Sequence, residues 1–164
     1  MRFGQMVEVG EILTKYGERI IEQLRNDIKN KPLPRRGGQS YVANASGDLE
    51  KTLRMTVENG VLKIYANKYV YQLVYGRKPG KMPPRSAIEK WIVDKGIQSN
   101  IPIKSLAFLI QRSIAKNGTS LYPQGSDLLS SLVNETMINS LKSDLFTSMV
   151  DGAFDSFATL KRAA

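Results

Sequence analysis

The chain has 164 residues, 41% hydrophobic and 24% charged, an ordinary composition for one soluble globular domain with a single continuous core. It contains neither cysteine nor histidine, which excludes disulfides, thiolate nucleophiles, Cys/His zinc sites and imidazole-based catalytic triads. Lys+Arg number 24 against 15 Asp+Glu, a net charge of +9, which fits either contact with a polyanion such as nucleic acid or a generally solvated basic surface.

No apolar run reaches the roughly 20 residues that span a bilayer, so no membrane segment is expected. The N-terminus carries Glu8 and Glu11 and lacks an unbroken apolar stretch, so a secretory signal is not expected either. The protein is expected to be made and assembled inside a cell.

From about Val7 to Lys29, apolar residues fall at Val9, Ile12, Leu13, Tyr16, Ile20, Leu24 and Ile28, spacings of three and four that define one face of a long helix. Pro32 and Pro34 end it, because proline lacks a backbone donor and disfavours helix in the residue before it. Residues 31–46 combine those prolines with Gly37, Gly38, Arg35 and Arg36 and read as a long loop that orders on contact with a neighbouring molecule.

After Ser46-Gly47-Asp48-Leu49, the residues Leu53, Met55 and Val57 alternate with Arg54 and Thr56, the period of a half-buried strand. Asn59-Gly60 then predicts a tight hairpin, since both residue types tolerate positive φ, and Leu62 and Ile64 share a face of the return strand. Tyr69 to Tyr75 is aromatic and β-branched and reads as a further strand, its tyrosines on one sheet face, with a helical turn as the alternative.

A basic Gly/Pro loop follows: Gly76, Arg77, Lys78, Pro79, Gly80 and Lys81. Pro84 suits the first turn of a helix with Ile88, Trp91 and Ile92 on its apolar face and Gly96 at its end. Ile103 to Lys116 is a second amphipathic helix through Leu106, Ala107, Ile110 and Ile114, stopped by Asn117-Gly118. Residues 118–125 are turn-rich. Ser126 or Asp127 is the expected cap of a last helix through Leu129, Leu132, Val133, Met137, Leu141 and Leu145. Gly152 should end or weaken it, leaving Phe154, Phe157 and Leu160 as an apolar terminus and 139–164 as a helical extension. The expected fold is therefore α+β: one domain over 1–164, with a small antiparallel sheet covered by an N-terminal helix and C-terminal helices.

No phosphate-binding loop or dinucleotide fingerprint is present. The acidic pairs Asp48/Glu50 and Asp151/Asp155 are best explained by salt bridges or solvation, and Lys78, flanked by Arg77 and Lys81, should stay a hydrated cation. No enzyme activity, metal or cofactor is expected. The candidate contact residues, for a neighbouring subunit or for DNA, are Arg35, Arg36, Arg77, Lys78, Lys81 and Arg85.

Two stretches carry a resemblance. One runs from Ala45-Ser46-Gly47-Asp48-Leu49 through the hairpin to Tyr69-Val70-Tyr71-Gln72-Leu73-Val74-Tyr75-Gly76. The other comprises Gly76 to Pro84, Ile88, Trp91-Ile92 and Lys95-Gly96-Ile97, continuing to Leu106-Ala107-Phe108, Ile110, Ile114 and Asn117-Gly118-Thr119. Together they resemble the tail-completion, or neck, proteins of tailed bacteriophages over roughly residues 1–135. That family commonly has an acidic residue and Gly-Thr after the strand, where this chain has Val74-Tyr75-Gly76-Arg77, and residues from about Asn139 fall outside the match. The resemblance implies a non-enzymatic virion subunit at the head–tail junction. It implies a homo-oligomeric ring between portal and tail proteins, around a passage for DNA, with residues 31–46 and 76–85 docking neighbours. The competing expectation is a basic accessory protein that binds nucleic acid.

Overall fold

The computed structural model describes residues 3–38, 40–43 and 46–162, with side chains from Glu8 to Asp155 and at Ala158. It is an α+β structure, as the pattern predicts. Its contacts cluster into two compact units. The first comprises residues 1–23, 54–65 and 130–164, and the second residues 24–53 and 66–129.

Helix α1 (Phe3–Asn30) opens the chain. In the first unit its face presents the buried Leu13, Tyr16 and Ile21. Strands β3 (Arg54–Glu58) and β4 (Val61–Tyr65) form the expected antiparallel hairpin, with Glu58 opposite Val61 and Arg54 opposite Tyr65. That register leaves a two-residue turn, in which Asn59 and Gly60 have φ of 53° and 73°, the left-handed pair that matches strand twist. Gly17 lets helix and hairpin approach closely: a Cβ there would lie under 3.0 Å from both Met55 Sδ and Leu62 Cδ1. The last helix, α6 (Glu135–Arg162), is tied to α1 when Tyr16 Oη donates to Asp144 Oδ2 (3.0 Å) and Ser148 Oγ to Glu8 Oε2 (2.9 Å). Burial, and then the Asp144 carboxylate, hold the Tyr16 hydroxyl above its ordinary pKa.

The last helix departs from the expected one at its start and at Gly152. The last helix starts at Glu135, capped by Asn134, whose Oδ1 accepts the Met137 N–H (2.9 Å), and not at Ser126 or Asp127. Residues 119–133 before it are turns and bends in which Leu121, Leu128 and Leu132 are buried, so their apolar spacing records packing without helix. Gly152 does not end α6, because a single glycine costs only about 1 kcal/mol in a helix interior. The Phe157 and Leu160 side chains lie outside the described residues, while Phe154 is exposed.

The second unit starts with the end of α1, which buries Leu24 and Ile28. Residues 31–46, expected as a loop, hold two short antiparallel strands, β1 (Pro32–Pro34) and β2 (Ser40–Val42), with Leu33 opposite Tyr41. Gln39, Asn44 and Ala45 in this segment lie outside the described residues. A short helix α2 (Asp48–Lys51) follows, and Glu50 pairs with Lys29 at 2.8 Å.

Tyr69–Tyr75 is helix α3 and not a strand. Asn67 starts it: its Oδ1 accepts the Tyr69 N–H (3.1 Å) and its backbone carbonyl the Val70 N–H (2.9 Å). The buried residues are Val70, Leu73 and Val74, an i, i+3, i+4 set, so the helical period prevails over the alternation. Tyr71 and Tyr75, expected on a sheet face in the core, are 65% and 64% exposed.

Helices α4 (Arg85–Asp94) and α5 (Ile103–Asn117) pack together, with boundaries close to those the sequence predicts. Ile92, 3% exposed, anchors α4, whereas Trp91 is only half-buried. Trp91→Ala should therefore cost about 1–3 kcal/mol, below the 3–5 typical of a fully buried indole, and Ile92→Ala should cost more. Urea midpoints of the two variants check that order, and the reverse order would show the indole to be the anchor.

Candidate functional site

The basic residues singled out from the sequence all lie in the second unit. Two of the segments that carry them, some forty residues apart in the chain, meet on one piece of backbone, the end of α5 and the turn after it. The Arg36 N–H donates to the Ser120 carbonyl (3.0 Å), and Arg36 Nη2 donates to the carbonyls of Asn117 (2.7 Å) and Tyr122 (2.9 Å). A guanidinium suits this position because the last carbonyls of a helix are unpaired and carry the negative end of its dipole.

From the other side, the Arg77 N–H donates to Thr119 Oγ1 (2.8 Å), and the Arg77 carbonyl accepts the Thr119 N–H (2.9 Å). The Gly80 N–H donates to the Ala115 carbonyl (2.8 Å), and buried Gln111 donates through Nε2 to the Pro83 carbonyl. Arg77 Nη2 bonds the Lys81 carbonyl and closes the loop on itself.

Three glycines make this clasp possible. A Cβ on Gly76 would lie under 3.0 Å from the backbone of Leu121 and Tyr122, one on Gly118 from the Arg77 carbonyl oxygen, and one on Gly125 from the Val74 carbonyl oxygen. Backbone meets backbone at each point, so no side chain is able to rotate away. The Gly125 N–H bonds the Leu121 carbonyl (2.6 Å), and Ser126 bonds the end of α3 twice, through its N–H to Val74 and its Oγ to Leu73. Loop 76–85 is thus fixed to α5 and the following turn along most of its length.

The six expected contact residues divide by what they do. Arg36 and Arg77 spend their guanidinium groups on holding the clasp. Arg85 stands apart at the start of α4, with its guanidinium 6.0 Å from the centre of the Phe108 ring. Arg35, Lys78 and Lys81 are exposed, and no ion pair involves them among the described residues.

Beside the 77–85 loop, Tyr71 and Tyr75 offer a weak stacking pattern in the sequence that sheet-face burial explains as well, and the structure places both at the surface. Tyr71 and Tyr75 stack with ring centres 6.4 Å apart and an interplanar angle of 19°, on the helix that runs directly into Gly76-Arg77. The signal that identifies them is the helical spacing of Val70, Leu73 and Val74, which turns both tyrosines outward.

Charge is unevenly divided. The second unit has 16 Lys+Arg against 6 Asp+Glu, and the first has 8 against 9, so the second carries the whole positive excess. The Asp48 carboxylate is held below its ordinary pKa by hydrogen bonds from Ser46 and Lys90 and by the Lys90 charge, in agreement with the salt-bridge role expected for it. In the first unit an open depression of about 380 Å³ is lined by Gly10, Glu11, Thr14, Lys15, Glu18 and Val57. Among the described residues, no cluster of three or more acidic side chains could hold a metal ion, and no helix is long and apolar enough to cross a membrane. Comparison with known protein families, characterised proteins and solved structures finds no match to this chain.

Proposed function

We propose that the protein is a structural subunit of a tailed-phage virion at the head–tail junction, where it forms a ring between the portal complex and the tail. The observation that carries this reading is the clasp. The stretches that resemble the neck family, Tyr69 to Pro84 and Leu106 to Thr119, bond to each other through Arg77–Thr119 and Gly80–Ala115. The unusual Gly-Arg-Lys-Pro-Gly sequence is then understood as a rigid mount that holds Lys78 and Lys81 out from the unit.

A ring also needs two different surfaces that meet between successive copies. Val93, Phe108 and Leu109 are 67%, 42% and 51% exposed on α4 and α5, and apolar side chains left uncovered on a folded unit are suited to such contacts. The competing reading, a basic accessory protein that binds nucleic acid, is favoured by the charge of the second unit.

Particle assembly separates the two. Infected cells that lack the protein should accumulate DNA-filled heads and free tails, visible by electron microscopy, and supplying the protein should restore joining. Tailed, infectious particles formed in its absence would refute the junction role. The purified protein should also give a discrete ring mass by native mass spectrometry at high concentration.

A further inference from the structure

We propose that the Tyr71–Tyr75 pair and the adjoining basic clasp form a binding surface for single-stranded nucleic acid, read without sequence preference. Three observations carry it, and it does not depend on the assembly role. The first is charge: the second unit has an excess of ten positive groups, and Lys78 and Lys81 project from a loop fixed at Arg77, Gly80 and Pro83. A fixed loop loses little conformational entropy when its cations meet phosphates, which a mobile loop would lose in full.

The second is the tyrosine pair. Rings that are 65% and 64% exposed contribute little to the fold, yet they stack on each other and leave their outer faces to solvent. Bases of a single strand have free π-faces to lay against such rings, whereas paired bases in a duplex do not. Tyr75 is followed directly by Gly76 and Arg77, so the platform and the cationic loop are neighbours along a rigid backbone.

The third is what the chain lacks as an alternative occupant. A second copy meeting this surface with its own would place like charges together. The first unit, with 8 Lys+Arg against 9 Asp+Glu, offers no strong acidic counterpart. An acidic protein partner would satisfy the lysines but would leave the aromatic pair without a purpose.

The test is fluorescence anisotropy of the full chain with a labelled oligothymidine of about 20 bases and a mixed-sequence duplex of about the same length. Saturable binding to the single strand is expected. It should weaken roughly 20- to 50-fold between about 50 and about 200 mM salt if three or four phosphates are neutralised. Lys78→Ala with Lys81→Ala should weaken binding about tenfold and flatten the salt slope. Tyr71→Ala with Tyr75→Ala should cost about tenfold on the single strand and leave the duplex unchanged. All four side chains are exposed, so the variants should keep the parent circular dichroism spectrum and melting curve. No binding to the single strand at low salt would overturn the proposal and leave an acidic protein as the partner. Equal binding of both probes, insensitive to the tyrosines, would also overturn it, in favour of duplex backbone contact. Neither result bears on whether heads and tails join without the protein.

Discussion

Gly118→Ala should destabilise the protein by about 3–4 kcal/mol, the largest loss expected from removing no atoms at all. Two effects add. Gly118 has φ 73° and ψ −176°, a region that is essentially closed to side-chain-bearing residues and costs about 1–3 kcal/mol to occupy. The new methyl would also be driven against the Arg77 carbonyl oxygen, and that oxygen is held by the Thr119 N–H. To relieve the clash, the 76–81 loop must lift from α5 and surrender the Arg77–Thr119 bonds. Gly76, at φ 69° and ψ 174°, is in the same position from the opposite side of the clasp.

Gly96→Ala is the control. Its φ is 62° but a Cβ there meets nothing within 4 Å, so only the backbone term of about 1 kcal/mol applies. Urea midpoints compare the two variants at an unchanged slope. A freed loop should also open the bonds after Arg77 and Lys81 to trypsin before global unfolding begins. If Gly118→Ala costs no more than Gly96→Ala, the loop is not clasped, and the rigid mount proposed for its lysines is lost.

The elements legible in the sequence are those whose information is local. The Asn59-Gly60 turn fixed the β3–β4 register because the two residues that need positive φ are the two between the strands. The stripe from Val9 to Ile28, with Pro32 beyond it, fixed α1 for the same reason. Tyr69–Tyr75 misled because apolar residues occupy nearly every position, so alternation and helical spacing fit equally well. What decides for the helix is that Val70, Leu73 and Val74 are the residues with a core to enter, while Asn67 Oδ1 takes the Tyr69 N–H at its start. The basic residues themselves are plain in the sequence, but not what their side chains hold within the fold. Nothing near Arg36 in the chain states that its guanidinium will sit on Asn117 and Tyr122, more than eighty residues away. Likewise Gly118 and Gly125 read as turn markers, while the backbone that each must admit comes from α3 and the 76–80 loop.

Leu33→Ala should cost about 2–5 kcal/mol, because this one side chain makes a hairpin of a segment, 31–46, whose composition reads as a loop. Pro32 and Pro34 flank Leu33 in β1 and neither has an N–H, so the ladder with β2 is short of donors. A ladder this poor does not hold two three-residue strands together by itself. What remains is the Leu33 side chain, which is fully buried, with the Arg36 bonds at the far end of the turn. Truncation to alanine leaves a cavity among packed neighbours and removes the one apolar anchor that β1 possesses. The segment should then behave as its composition suggests, with faster hydrogen exchange over 32–42 and early trypsin cleavage at Arg35 and Arg36. Both readouts are made on the unassembled protein, which is what gives them force. A hairpin anchored in the isolated chain presents Arg35 in a set position. If instead Leu33→Ala melts and exchanges like the parent, Leu33 is no anchor, and the Arg36 bonds to Asn117 and Tyr122 hold the segment.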